Sequence, residues 1–272
     1  MDSNSEKSKT KPDALYMSGE VEKLFFQISP KDEFEIIIDP KQMNMTKFTT
    51  LLKYIGYQKT KNNLEVIKES ILDANLSENN NCFRISIVGK DNIQSVLNNH
   101  YQKKNIQVYH SLLQEAKNNN YSIINKVRKG VIDHSKYRCR LATETPINSS
   151  SIKLTDEDRH NIVFRYKQRA SLILEDTEFG KLRLDVTQVQ QSNQLSTLIS
   201  SPIMYEAELD LSATKKMTVE GKKVLKKITD TIRSILGTLQ GSEIIITQQE
   251  ETTVIDEYKK LVYGEKVNVH QD

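Results

Sequence analysis

The stretch "EFEIIID", Glu33 to Asp39, alternates charge and apolar bulk before running into three isoleucines. Aromatic and β-branched residues suit a pleated, half-buried surface, so the pattern predicts a β-strand. Successive strand side chains point to opposite faces, which puts Glu33 and Glu35 together on one face and Phe34 and Ile36 on the other. Short segments of the same texture recur: "NNNCFRISIVG" after an Asn-rich turn, then "SIINKVRKGVI", "YRCRLATETP", "IVFRYKQRASLIL", "GKLRLDVTQVQ" and "IMYEAELDLS" between Tyr121 and Leu211. Helical spacing marks the rest. "MTKFTTLLKYIGY" places Phe48, Leu51, Leu52 and Ile55 on one side, and "DNIQSVLNNHY" reads as a short helix. In "TVEGKKVLKKITDTIRSIL", Val224, Ile228, Ile232 and Ile235 oppose Lys222, Lys223 and Lys227, with Thr218 as the expected cap. Further helices are predicted over roughly 21–28 and 251–263. Strands separated by turn residues favour an antiparallel sheet or barrel over a parallel α/β sheet, in an α+β fold.

Composition removes several classes of function. The 272 residues can bury a sizeable core, with residues 1–15 expected as a polar, disordered tail and 16–272 as one domain. A net charge of +3 is too small to argue for nucleic acid by itself, so any electrostatic case rests on local clustering and implies no DNA sequence recognition. Cys82 and Cys139 form neither a metal-type pair nor a disulfide framework, and the five histidines lack ligand spacing, which argues against zinc and for a reducing, cytoplasmic setting. No apolar run is long enough to span a membrane.

The polar faces of the strands carry the chemistry. Arg138, Arg140 and Glu144 share one face, as do Arg165, Lys167 and Arg169; Arg183, Asp185 and Thr187; and Glu206, Glu208 and Asp210. Leu184, Val186, Ala207, Leu209 and Leu211 take the opposite faces. A solvated outer face explains any one of these strands alone, and Glu144, next to Thr145-Pro146, can be read as a mere strand end. Together, the signs segregate: two strands carry mainly carboxylates and another only bases. Like charges at 4 Å repel by about 4 kcal/mol at an effective dielectric of 20. Such walls suit a polar interior that takes a cation among the acids and an anion among the bases, and a metal-bound polyphosphate supplies both.

In their order, "EFEIII", "YRCRLATETP", "FRYKQRASL", "LRLDVTQV" and "YEAELDL" resemble the triphosphate tunnel metalloenzymes, and within them the RNA 5′-triphosphatase domains of mRNA capping enzymes from mimivirus-like large DNA viruses. The resemblance runs from about Glu33 to Tyr263. It implies a closed antiparallel eight-stranded β-barrel with supporting helices, and a tunnel that hydrolyses the β–γ bond of a triphosphate with Mg²⁺ or Mn²⁺. By resemblance Glu33 and Glu35 ligate the metal with a carboxylate of the "EAELD" strand, Glu208 or Asp210; Asp210 stands where the family usually has a third glutamate. Arg165, Lys167, Arg169 and Arg183 would clamp phosphate beside Asp185, together with Arg138 or Arg140 and with Arg128 or its neighbour Lys129. Glu206 or Glu208 would activate the attacking water, with Lys167 and Arg169 neutralising the transferring group. The implied substrate is 5′-triphosphate RNA.

Neither a K-x-D-G guanylyltransferase motif nor a Gly-rich methyltransferase loop occurs in the sequence. Guanylyltransferase and methyltransferase partners are therefore expected in another chain or in a longer version of this one, and a viral protein would work in the viral factory or virion. A general tripolyphosphatase or NTPase of the same fold, and a non-catalytic polyphosphate- or RNA-binding scaffold, are the alternatives.

Overall fold

The computed structural model describes residues 19–78, 80–134, 136–240 and 248–263. Eight strands carry the architecture: β1 (Asp32–Ile38), β2 (Val66–Glu78), β3 (Asn81–Val88), β4 (Ser122–Asp133), β5 (Tyr137–Pro146), β6 (Ile162–Thr177), β7 (Gly180–Ser192) and β8 (Met204–Ala213). They pair antiparallel throughout in the order β1-β5-β4-β3-β2-β6-β7-β8, and β8 returns to β1 to close the barrel. Closure leaves no unpaired edge.

The alternation read in the sequence is the alternation of the wall. Phe34, Ile36 and Ile38 point outward into an apolar cluster with Leu141, Leu184, Val186, Ala207, Leu209 and Leu211. Helices α1 (Gly19–Phe25), α2 (Met45–Asn62) and α6 (Lys222–Gln240) cover that side. A second cluster seals the outside of β2, β3 and β6 with helices α3 (Lys90–His100), α4 (Asn105–Glu115) and α5 (Leu195–Leu198). The α6 face of Val224, Ile228, Ile232 and Ile235 is buried as expected. With helices outside, the barrel's polar faces can only point inward. Both faces of β1 are buried, so Glu33 and Glu35 are not on a solvated surface.

Three local devices shape these elements. Asn44 caps α2, its Oδ1 accepting from the Lys47 N–H at 3.0 Å, and Asn63 ends the helix in the left-handed region. Thr218, expected to cap α6, instead heads a one-turn 3₁₀ segment, Val219–Gly221, and makes no side-chain cap bond. In β4 the register shifts between Arg128 and Gly130. This bulge lets Arg128 face the interior while Lys129 turns to Asp32, 2.8 Å away. Gly130 lets Leu24 pack close, since a Cβ there would lie 2.5 Å from Leu24 Cδ1 and make that side chain shift.

Strand β2, helix α4 and the short α5 went unread in the sequence. The first predicted helix ends at Phe25 rather than Ile28, and the last, α7 (Gln248–Tyr263), starts three residues earlier than expected. The tail expected over residues 1–15 lies outside the described residues.

Candidate active site: an ionic tunnel

The barrel encloses a cavity of about 630 Å³. Small eight-stranded barrels commonly fill their interior with side chains. Here charged side chains line it instead, and they pair with one another.

Three carboxylates converge at one place. Glu33 and Glu35 project from β1 and Asp210 from β8, where Glu35 and Asp210 are direct cross-strand partners. Their oxygens lie within 4.8 Å of one another, and all three residues are buried. Oxygens about 2.1 Å from one Mg²⁺ lie about 3.0 Å apart when adjacent and about 4.2 Å when opposite, so the three side chains would have to draw together to hold such an ion. The all-oxygen donor set suits a hard divalent cation. Among the described residues, this is the one group of three or more potential metal-ligating side chains.

Bases surround the acids. Lys126 Nζ, from β4, donates to Glu33 Oε2, lies 2.7 Å from Glu35 Oε1 and sits 3.2 Å from Glu144 Oε1. Arg140 reaches Glu35 Oε2 at 3.3 Å. Arg183 donates to Asp210 Oδ2 at 2.8 Å and lies 3.8 Å from Glu33 Oε1. Burial opposes charge on each carboxylate, and the neighbours overcome it only at Glu33. At Glu33 the Lys126 ammonium, aided by contacts with Asp210 and Glu144, outweighs burial and holds the carboxyl well below its usual range. At Asp210, burial and then the adjacent Glu33 charge push the carboxyl well above its range despite Arg183. Burial likewise raises Glu35, with the Lys126 ammonium opposing it and the Glu33 and Glu208 charges adding to it.

The base strand β6 lies across the tunnel, and it too is paired. Lys167 Nζ is 2.6 Å from Asp73 Oδ2 of β2, whose Oδ1 accepts from Ser86 Oγ at 2.6 Å. Burial would raise the Asp73 carboxyl, but Lys167, Arg84 and these hydrogen bonds hold it at about 2. The partners respond oppositely. Burial, together with Arg165 and Arg169, lowers Lys167 even though Asp73 supports its charge. Arg169 and Arg183 both approach Asp185 Oδ2 at 3.2 Å, and Arg165 pairs with Glu206. At Asp185 these are ion pairs by distance but not aligned hydrogen bonds, since both of its oxygens lack a hydrogen-bond donor. The buried Nε–H groups of Arg84, Arg140, Arg165, Arg169 and Arg183 likewise have no acceptor. Buried donors left unpaired in the wall favour an anion that supplies oxygens.

Most of the residues singled out in the sequence meet in this cavity. Glu33, Glu35, Arg128, Arg140, Arg165, Lys167, Arg169, Arg183, Glu208 and Asp210 line it. Asp185 and Glu206 stand behind lining arginines as their partners. Of the pairs left open in the sequence, Glu208 and Asp210 both reach the cavity, whereas only one member of each basic pair does. Asp210, not Glu208, completes the carboxylate cluster, while Glu208 lines the cavity with no ion pair among the described residues. Arg140 faces the acids, whereas Arg138 is half exposed and pairs with Asp133 outside the lining. Lys129 faces outward. The expected separation of an acidic wall from a basic one holds only for the neighbouring strands β1 and β8, because Asp73, Asp185 and Glu206 are interleaved with the bases.

Four lining residues were missed as site residues: Asp73, Arg84, Lys126 and Glu144. Glu144 does not merely end a strand; it receives Arg84 Nη2 at 2.8 Å. The signal was present in "SILDANLS", where Leu72, Ala74 and Leu76 alternate with Asp73, Asn75 and Ser77, and in "NKVR", where Lys126 shares a face with Arg128.

The closed antiparallel barrel, its ionic bore and the carboxylate cluster in its wall make the tunnel-like architecture expected from the strands. The chain is similar in fold to three solved structures of the mimivirus capping enzyme triphosphatase. One covers 83% of this chain and 99% of its own, with a TM-score of 0.66 at 18% identity. Another, described as the RNA triphosphatase domain of a trifunctional mimivirus mRNA capping enzyme, covers 81% and 95%, with a TM-score of 0.65 at 17% identity. A third covers 79% and 96%, with a TM-score of 0.60 at 19% identity. In sequence, the chain is 22% identical over 259 residues to a probable mRNA-capping enzyme of Acanthamoeba polyphaga mimivirus; the match takes in 92% of this chain but only 21% of that relative. No protein-family model matches. The resemblance read from the strands is thus borne out in the fold.

Proposed function

We propose that this chain is a metal-dependent RNA 5′-triphosphatase that removes the γ-phosphate from triphosphate-ended RNA, the opening step of mRNA capping. The observation that carries the proposal is the convergence of Glu33, Glu35 and Asp210 opposite buried arginine N–H groups without acceptors. The likeness to capping-enzyme triphosphatases supports the choice of RNA over other polyphosphates.

In this reading Glu33, Glu35 and Asp210 hold Mg²⁺ or Mn²⁺, which when bound draws charge from the phosphate oxygens. Arg140, Arg165, Lys167, Arg169 and Arg183 grip the phosphates and stabilise charge on the γ-phosphoryl group as it transfers, with Arg84 and Arg128 contributing along the bore. Asp73 and Asp185 orient Lys167 and the arginines. Glu208 is the general base. It lines the cavity and carries no ion pair among the described residues, whereas Glu206 is engaged by Arg165. Glu208 takes a proton from water as the water oxygen bonds to the γ-phosphorus. The bond from that phosphorus to the β–γ bridging oxygen breaks, giving inorganic phosphate and diphosphate-ended RNA. Guanylyltransferase and methyltransferase units, in this or another chain, would complete the cap in a cytoplasmic setting. No helix among the described residues is long and apolar enough to cross a membrane.

The test is release of labelled γ-phosphate from triphosphate-ended RNA with and without Mg²⁺ or Mn²⁺. Wild type is compared with Glu33→Ala and Glu208→Ala, and with ATP and tripolyphosphate as competitors. Metal-dependent release lost in both variants is expected. Stronger turnover of tripolyphosphate or ATP than of RNA would make the protein a general polyphosphate hydrolase, and no release from folded protein would make it a binding module.

A further inference from the structure

We infer that Lys126 is the positioning residue that links ion binding to polyphosphate binding in this tunnel, by exchanging Glu33 and Glu35 for phosphate. The inference rests on the triphosphate reading above and specifies how that site is loaded.

The acid cluster already has its formal counter-charge. Three carboxylates, Glu33, Glu35 and Asp210, face three cations, Lys126, Arg140 and Arg183. Both oxygens of Glu33 and both of Glu35 have a basic nitrogen within 4 Å. A divalent ion arriving alone must take oxygens from these bases. It would then leave an ammonium and two guanidinium groups beside an added double charge in a buried site, where like charges repel strongly. A polyphosphate arriving alone meets the opposite difficulty, since the bases it needs are engaged by carboxylates. Each ligand relieves the other: the ion frees the bases, and the phosphate oxygens receive them.

Lys126 is the member built to move. Arg140 and Arg183 are rigid planar forks, whereas Lys126 bears a compact ammonium on a flexible stem. Its nitrogen also touches Glu144 Oε1 at 3.2 Å, so one contact remains when Glu33 and Glu35 turn to a cation. That contact keeps the ammonium inside the cavity, within reach of a phosphate bound beside the ion. Binding coupling is reciprocal, so the factor by which phosphate tightens the ion equals the factor by which the ion tightens phosphate.

The experiment measures Mn²⁺ binding to the full chain by electron paramagnetic resonance of free Mn²⁺. It is run alone and with imidotriphosphate, whose nitrogen bridges resist hydrolysis, after allowing for Mn²⁺–imidotriphosphate complexes in solution. For wild type, imidotriphosphate should tighten Mn²⁺ by about tenfold or more, within the usual span of coupling between sites. Lys126→Met should tighten Mn²⁺ added alone and shrink that coupling several-fold, a pair of changes that a purely structural lysine would not produce. Equal Mn²⁺ affinity with and without imidotriphosphate in wild type overturns the inference without recourse to any variant. Weaker Mn²⁺ binding by folded Lys126→Met overturns the role of Lys126. RNA γ-phosphate release without coupling would leave the proposed activity standing and end this inference; coupling without RNA turnover would do the reverse.

Discussion

Asp73 and Lys167 meet one to one in the tunnel wall, whereas Glu33, Glu35 and Asp210 gather with oxygens within 4.8 Å of one another among Lys126, Arg140 and Arg183. Both clusters are buried, and both were assembled from strand alternation, but their electrostatics differ. The Asp73–Lys167 pair is closed by Ser86 and keeps its carboxylate ionised with a pKa of about 2. In the triad, burial opposes the Glu33 charge but Lys126 and the neighbouring acids hold it down, while burial and the Glu33 charge push Asp210 up, so the three carboxyls do not behave alike. The lesson is that counting ion pairs does not locate the proposed metal site. The position where like charges are brought together does, because a folded chain accepts that repulsion where a ligand offsets it.

The contrast can be broken most forcefully at the triad. Glu35→Gln keeps the shape and removes one ligand charge, and γ-phosphate release should fall by about 10²–10³-fold, the range for losing one preorganised charge-stabilising group. The fold should persist, checked by circular dichroism, because Lys126 retains Glu33 and Glu144.

The closed pair should respond in stability as well as turnover. Asp73→Asn strands Lys167 in a buried site and should cost about 3–5 kcal/mol in urea unfolding. Asp73 also supports the Lys167 charge. Its loss lowers the Lys167 pKa further, so the alkaline limb of the rate profile should move to lower pH. A limb that stayed in place or moved up would exclude Lys167 as the group responsible.

The same pair sets an acid limit. The Asp73 carboxyl is depressed from 3.8 to about 2 on folding, so its stabilisation is complete above the unfolded value and is lost as pH falls through the interval from 3.8 to 2. The stability difference between wild type and Asp73→Asn, followed by thermal melts, should therefore shrink across that window. It should be flat from pH 5 to 7.

The smallest effect is expected outside both clusters. Arg138 pairs with Asp133 on the exposed rim, and surface pairs contribute about 0–1 kcal/mol, so Arg138→Ala should leave γ-phosphate release within about twofold. Arg140→Ala, two residues along the same strand, should lower it far more. Equal losses at the two positions would contradict the placement of Arg140 alone in the tunnel.

Alternation along each strand determined much of this protein. It sorted Phe34 and Ile36 from Glu33 and Glu35, placed Arg165, Lys167 and Arg169 on one face, and marked the helices whose apolar stripes cover the barrel. These are properties of neighbours in the chain, set by a period of two or 3.6 residues. Sequence could not decide between Glu208 and Asp210 or between Arg138 and Arg140, because in each pair both residues share a face and a charge. Only cross-strand register separates them, and register is a relation between strands far apart in the chain. Arg128 and Lys129 were divided by a bulge that a single glycine beneath Leu24 permits. Lys126 shows the limit most clearly: a lysine in "INKVR" says nothing of partners more than ninety residues away, until barrel closure sets its ammonium on Glu33 and Glu35.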